Sequence, residues 1–530
     1  MSGKRVLALY ALLVGCFAVV LCRLYWLCSN PLYAARAAAQ SVVTLSFPAR
    51  RGNFYDHQGR LLTGGSNRWM ALCVPGEESY ATLFSDTDAA GQAELYRRRN
   101  AAVPFLLEVE RDVSALGVAC WPVARRYGAA PLAAQLVGYL DGEGRGAAGL
   151  EAALDAELSG SGQADSLTCI INAQGRLRST PERTPADSGA VGVRLTLSRD
   201  IQQAVEAVAA QTMEQGCILV LETATGKLRA AASVPGYDPE QVADSLDAPG
   251  SPLLERAFAA YAVGSVFKPV LAAAALESGQ TDLVYTCPGW CTVDGQVFRC
   301  AGGAAHGEVD LAAALEKSCN GYFIRLGQLL GPETICAMAR QLGFGQAAVL
   351  ADRMQSAAGN LPRSENLTSS GACANFSFGQ GELLATPLQI AGMMNTIACG
   401  GVFHTPILAE GTLDETTGEE LTALAHPRAR RVMKQTTAQV LQTLLAGVVE
   451  QGTGQEAASL GQSAAGKTGT AQTGQFRKGA ELKNFWFAGF FPAEEPRYTI
   501  VVLQDAQQSP AVSSAAVFAR TAAGLEAFLL

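Results

Sequence analysis

Charge is scarce in this chain of 530 residues: charged side chains make up 17%, and 40 Lys and Arg stand against 48 Asp and Glu. With no positive excess there is nothing to neutralise a phosphate backbone, so a nucleic-acid partner is excluded. Aromatic residues are few at 7%, but hydrophobic residues reach 49%, which excludes a disordered chain and leaves apolar surface for large cores. The 55 glycines and 22 prolines follow no collagen period and form no low-complexity tract. An internal repeat of fixed period is also missing. At roughly 150 residues per domain, the length allows two to four domains.

What is present begins with a membrane signal. Val6 to Cys22 carries no charge, and Leu24 to Cys28 extends the run past Arg23. That is close to the minimum for crossing a bilayer. Lys4 and Arg5 precede it, so the positive-inside tendency keeps residues 1–5 cytoplasmic and sends the remainder out, with 6–28 as a single-pass anchor. Arg23 can snorkel to the far interface beside Tyr25 and Trp26. A cleaved signal peptide is the rival reading. Ala34 to Ala39 would supply its small residues, but they lie well beyond the apolar run.

Of the 14 cysteines, Cys16, Cys22 and Cys28 belong to the anchor and most others sit singly in apolar stretches, as small buried hydrophobes do. Cys287, Cys291 and Cys300 are the exception. Asp294-Gly295 between them reads as a hairpin turn. For an exported segment two outcomes stay open, a disulfide from Cys300 to Cys287 or Cys291, or free thiols. A zinc site with His306 as fourth ligand is disfavoured, because the gaps lack the usual paired spacing; the expectation is no metal.

Along the chain, residues 31 to 40 are alanine-rich and read as helix. Short strand-like runs follow (Val42 to Phe47, Leu61-Leu62, Trp69 to Val74), with a soft linker at Ser159 to Gln163. From 193 the pattern sharpens. Ser198 caps a helix that carries Ile201, Val205, Val208 and Met213 and runs to Gly216. Cys217 to Glu222 and Leu228 to Val234 read as a hairpin, and an alanine- and leucine-rich helical region extends from 265 past 340. Lys467 to Gln472, Phe485 to Phe491 and Thr499 to Leu503 read as strands, before a terminal helix from about 510. Strands at both ends with helices between predict one α+β domain over 193–530, closed by a sheet drawn from both ends.

Within that domain three short patterns carry chemistry. Ser265-Val-Phe-Lys268 places a hydroxyl and an amine one helical turn apart; of the eight lysines only Lys268 has a serine three before it. A serine needs a neighbouring base, and a lysine serves if burial or nearby positive charge lowers its pKa; burial at a helix start and the charge of Lys467 are the expected means. Ser318-Cys-Asn320 follows a helix and can direct a hydroxyl and an amide into one cleft; Ser364-Glu-Asn366 has the same form but lies in a polar loop. Taken alone, either is a helix cap. Lys467-Thr-Gly-Thr470 reads as strand, with Thr468 and Thr470 on one face and Gly469 admitting a substrate backbone. An edge-strand charge is its bland reading.

In this order the three patterns match the S-x-x-K, S-x-N and K-T-G set of penicillin-binding proteins and class A β-lactamases. The chain resembles a class B penicillin-binding protein, a membrane-anchored peptidoglycan D,D-transpeptidase. Further similarity lies in Arg51-Gly-Asn-Phe-Tyr-Asp56 through Gly59, with His57 and Gln58 in place of the usual Arg-Asn, and in Gly149-Leu-Glu151. Ser377-Phe-Gly-Gln-Gly381, Gly452-Thr-Gly454 and Trp486-Phe487 continue it, while 75 to 140 is the least recognisable stretch.

The resemblance implies a mixed pedestal domain over 29–192 and a transpeptidase domain over 193–530, with an antiparallel sheet flanked by helices. It implies Ser265 as nucleophile, Lys268 as base and Ser318 as proton relay, with Asn320 on a substrate amide. Lys467, Thr468 and Thr470 would hold the terminal carboxylate, and the N–H groups of Ser265 and Thr470 would form the oxyanion hole. No cofactor is implied. The implied partners are stem peptides, β-lactam inhibitors, the cytoplasmic membrane, a separate glycosyltransferase, and division or elongation proteins. Alternatives of the same fold are a β-lactam-hydrolysing or -sensing protein and a catalytically silent cell-wall scaffold. No Glu-x-x-x-Asn stands between Ser318 and Lys467 to activate water, which weighs against hydrolysis.

Overall fold

The computed structural model describes residues 3–75, 78–187, 189–424, 428–458 and 463–529. Residues 1 and 2 of the expected cytoplasmic tail lie outside them. Gly3–Ser29 forms helix α1, long and apolar enough to cross a membrane, with none of its residues buried. A helix apolar on all sides and unburied has no water-soluble solution of its own, and this one fits a single-pass anchor. Pro31–Gln40 is α2, helical as its alanines predict.

The chain divides into two compact units that are not contiguous in sequence. The first comprises 1–51, 64–126 and 160–189. It holds two three-stranded antiparallel sheets. One orders β1 (Val42–Ser46), Ser166–Ile170 and Glu182–Thr184; the other centres on Ser66–Cys73 between Phe105–Val109 and Cys120–Arg125.

The second unit comprises 52–63, 127–159 and 190–530. A single boundary at 193 therefore needs correcting. Phe54, Leu136, Val137, Leu150, Leu154 and Leu158 are all buried in the same core cluster as Val266 and Leu271, so hydrophobic packing assigns 52–63 and 127–159 to this unit. The Arg51 to Gly59 similarity falls here too. Buried Asp56 accepts the N–H groups of Gln58, Arg60 and Arg199 and pairs with the Arg60 guanidinium, a structural role.

A five-stranded antiparallel sheet organises the second unit. We label its strands β2 (Gly216–Glu222), β3 (Leu228–Val234), β4 (Ala465–Arg477), β5 (Ala480–Phe491) and β6 (Tyr498–Gln507), in spatial order β3-β2-β6-β5-β4. It is drawn from both ends of the domain, as the strand pattern predicts. Side chains alternate across it, and both faces are covered. Leu219, Leu221, Trp486, Phe490 and Val501 join the central helices, whereas Ile218, Val220, Phe487, Ile500 and Val502 pack with the helices Arg199–Thr212 and Ser514–Leu525. The first of those helices stops at Thr212, short of Gly216, and the Ser198 side chain makes no capping bond.

The helical region from 265 past 340 also needs correction. A 3-10 turn, Gly264–Phe267, leads into α3 (Lys268–Ser278), which has Pro269 in its first turn and Gly279 in the left-handed conformation at its end. Two strand pairs then intervene, Tyr285–Cys287 with Gly307–Val309 and Trp290–Val293 with Gln296–Arg299. Gly289, Gly295, Gly302, Gly303 and Gly307 all have positive φ there, and such backbone breaks a helix. Helix resumes at Leu311–Glu316 and at α4 (Asn320–Gln341), the latter interrupted at Gly331-Pro332.

Candidate active site

Ser265 lies half-buried in the 3-10 turn, where residues three apart are eclipsed, so its side chain shares a face with that of Lys268. The Lys268 N–H bonds back to the Ser265 carbonyl and joins the turn to α3. Residues Lys268 to Ala275 are all buried, and alanines at 272–275 let α3 run through the core.

Lys268 has no exposed surface. Its Nζ reaches the Ser318 carbonyl at 2.7 Å, Asn320 Oδ1 at 2.7 Å and Ser318 Oγ at 3.1 Å. Every one of these acceptors is neutral. Burial therefore pushes its pKa down to about 7, the thiols of Cys319 and Cys300 opposing slightly. A neutral amine carries two N–H bonds and one lone pair. The carbonyl and the amide satisfy the first two, leaving the lone pair toward a hydroxyl.

Ser318 sits between two helices with φ +51°, in the left-handed region, and that bend presents both its carbonyl and its hydroxyl to Lys268. Asn320 Nδ2 donates to the Arg299 carbonyl at 2.9 Å, which fixes the amide orientation with Oδ1 toward the amine. The rival Ser364-Glu-Asn366 forms a 3-10 turn of its own, and no contact brings it to Lys268.

Lys467, Thr468 and Thr470 lie on β4, the edge strand of the sheet. Lys467 is fully buried, with Nζ 3.2 Å from the Thr468 carbonyl and 3.3 Å from its hydroxyl. Its pKa falls well below the ordinary lysine value, by burial first and by the charge of Lys268 second. Coulomb repulsion between the two amines is mutual, and burial is the first cause of both shifts.

The Thr470 carbonyl accepts from Gln380 Nε2 at 3.4 Å and so points away from β5. In an antiparallel strand the N–H and C=O of one residue point to the same side, which turns the Thr470 N–H outward as well. Glycines bring the Ser265 turn against this edge. A Cβ on Gly264 (φ +66°) would stand 2.5 Å from the Thr470 carbonyl, and one on Gly469 would stand 2.8 Å from Val266 Cγ1. On the other side the Gly264 N–H donates to the Gly379 carbonyl at 2.7 Å, and a Cβ on Gly379 (φ +83°) would lie 2.0 Å from the Gly264 oxygen.

Two further side chains reach this edge, Gln380 and Thr453, whose hydroxyl is 2.8 Å from that of Thr468. Both fall in stretches noted above for family similarity, but a lone glutamine or threonine gives no spacing signal. Of the two outcomes left open for Cys287, Cys291 and Cys300, the structure has free thiols. All described cysteines are free, the sulfurs of Cys287 and Cys300 are 3.6 Å apart against about 2.05 Å in a disulfide, and Cys291 packs instead beside Phe298.

Comparison with known proteins places these motifs in a family. Residues 216–523, more than half of the chain, match the model of the penicillin binding protein transpeptidase domain. The chain is similar to penicillin-binding protein PbpB of Mycolicibacterium smegmatis, 34% identical over 429 residues, which are 76% of this chain and 64% of that protein's length. It is 32% identical to peptidoglycan D,D-transpeptidase PbpA of the same organism, over 68% of this chain and 74% of PbpA. Penicillin binding protein 3 of Mycobacterium tuberculosis, solved with aztreonam, superposes with a TM-score of 0.67 at 27% identity, covering 92% of this chain and 97% of that one. With three ordered motifs gathered around one edge strand, and with relatives that carry the same name, the chain belongs to the penicillin-binding protein transpeptidase family.

Proposed function

We propose that the chain is a membrane-anchored serine D,D-transpeptidase that cross-links peptidoglycan stem peptides. The observation that carries this reading is Lys268, a fully buried amine with only neutral acceptors, one eclipsed turn from Ser265. In its uncharged form it takes the Ser265 proton as the oxygen attacks the carbonyl between two terminal D-alanines. The tetrahedral oxyanion rests on the N–H groups of Ser265 and Thr470, and the outward turn of Thr470 supports that role.

Lys467, Thr468 and Thr470 receive the terminal carboxylate. Its negative charge favours the protonated form of Lys467 and so opposes the burial that lowers the pKa of that amine. Collapse breaks the C–N bond, and D-alanine leaves as an amine protonated through Ser318. The acyl-enzyme persists until the amine of a neighbouring strand attacks. Asn320 contacts the substrate amide through whatever capacity its bond to Lys268 leaves. The catalytic unit lies outside the cytoplasmic membrane and works beside a separate glycosyltransferase and the proteins of division or elongation.

A β-lactam mimics the D-Ala-D-Ala terminus and is expected to acylate Ser265. Intact-mass analysis after incubation with benzylpenicillin tests this. Wild type gains the mass of the whole antibiotic and keeps it, whereas Ser265→Ala gains nothing. An adduct surviving in the variant sinks the nucleophile assignment, and rapid turnover in wild type replaces transpeptidation with β-lactam hydrolysis.

A further inference from the structure

Beside the Lys268 pocket, Cys287, Cys300, His306 and Cys319 bring their sulfurs and ring nitrogen within 4.8 Å of one another, the only such group of metal-ligating side chains among the described residues. Three separate pieces of chain supply them. Cys287 ends one strand, Cys300 and His306 lie on the glycine-rich return, and Cys319 precedes α4. The three cysteines are buried. From the Cys287 sulfur the distances are 3.6 Å to Cys300 Sγ and 3.6 Å to His306 Nδ1. Tetrahedral zinc with bonds of about 2.3 Å to sulfur requires ligand separations of about 3.8 Å.

The backbone around the sulfurs is arranged for thiolates. The Gly289 N–H donates to Cys287 Sγ at 3.4 Å, and the Tyr322 N–H to Cys319 Sγ at 3.5 Å. Cys300 accepts from the N–H groups of Asn320 and Gly321. Each sulfur therefore has at least one amide donor, the outer-shell pattern that orients ligands and stabilises their charge.

We propose that Cys287, Cys300, His306 and Cys319 form a structural Cys3His zinc site that ties the two-hairpin insertion to the start of α4. On binding, three S–H protons pass to solvent as three Zn–S bonds and one Zn–N bond form, with no change of oxidation state. All four positions are protein ligands, so the site is closed and supplies no reactive metal-bound water. Cys319 stands between Ser318 and Asn320, both of which hold Lys268. The metal thus acts as a positioning device for that pocket. Sequence spacing pointed away from zinc because it set Cys291 among the ligands, a place the fold gives to Cys319.

The test uses the full-length chain purified in detergent under reducing conditions without chelator. Elemental analysis is expected to find about one zinc per chain, falling at least tenfold in Cys300→Ser and unchanged in Cys291→Ser. Because Cys300→Ser could fail to fold, the wild-type protein is also exchanged with cobalt, which should give the intense visible bands of a tetrahedral thiolate site. Wild type without metal, Cys300→Ser retaining zinc in folded form, or a metal-free mass lower by two hydrogens from a Cys287–Cys300 disulfide would each overturn the site. None of these readouts depends on acyl transfer, so the site and the proposed activity stand or fall separately.

Discussion

Lys268 shows how far burial shifts an ordinary residue. An unperturbed lysine titrates at about 10.4, but full burial among neutral acceptors brings this one to about 7. The groups facing it are Ser318, Asn320, Lys467 and the thiols of Cys300 and Cys319. If the neutral amine is the base, penicillin acylation rises with pH, reaches half its plateau near pH 7, and at pH 5 is about a hundredfold lower. In Lys467→Ala carboxylate-bearing substrates are expected to bind more weakly, while burial, the first cause of the Lys268 shift, keeps the acid limb well below the ordinary lysine range. A rate still climbing above pH 9 would remove Lys268 from the role. That Ser265, Lys268 and Lys467 belong to one candidate site was legible in the sequence because their spacing is chemical. The lowered pKa of Lys467 was not, since it depends on a burial that only the packed sheet creates.

Among elements, the junction of the 3-10 turn, β4 and the Gly379 loop is built on missing side chains. Gly264, Gly379 and Gly469 remove the Cβ atoms that would hold the three backbones apart. Gly379→Ala puts a carbon against the Gly264 oxygen and a non-glycine residue at positive φ. It is expected to cost about 2 kcal/mol or more in stability and to slow acylation, with thermal unfolding and the penicillin labelling rate as readouts. A variant that labels and melts like wild type would show that the junction tolerates displacement. Gly469 could be read from its motif, but Gly379 acts through a residue over a hundred positions earlier, which no local pattern encodes. The same limit hid the two-hairpin insertion, where alanine content favoured helix and the glycines' left-handed conformations overrode it.

Across the whole molecule, the catalytic unit borrows residues 52–63 and 127–159 from what reads as a separate N-terminal domain. Deleting them removes Phe54, Leu136, Leu150 and Leu154 from the core, at about 1.5–3 kcal/mol for each buried side chain. Their sum approaches the 5–15 kcal/mol that typically holds a domain together. A 193–530 fragment is therefore expected to aggregate or melt well below a 30–530 chain, and to form little penicilloyl adduct; equal melting and labelling would contradict the interleaving. The sheet was legible from its apolar strands. The borrowing was not, because 127–159 carries short helical turns with no periodicity long enough to announce a core face.

The strand order also sets a timetable. Since β2 (Gly216–Glu222) pairs on one side with β6 (Tyr498–Gln507), the sheet cannot close until β6 has been made. Contacts so distant in sequence form slowly. The Ser265 turn is synthesised about two hundred residues before its edge strand arrives, so a chain emerging from the ribosome carries that serine long before it carries the strand beside it. Reactivity toward the antibiotic is thus acquired in one late step, and a ribosome stalled before β4 would hold a polypeptide that has Ser265 and remains blind to penicillin.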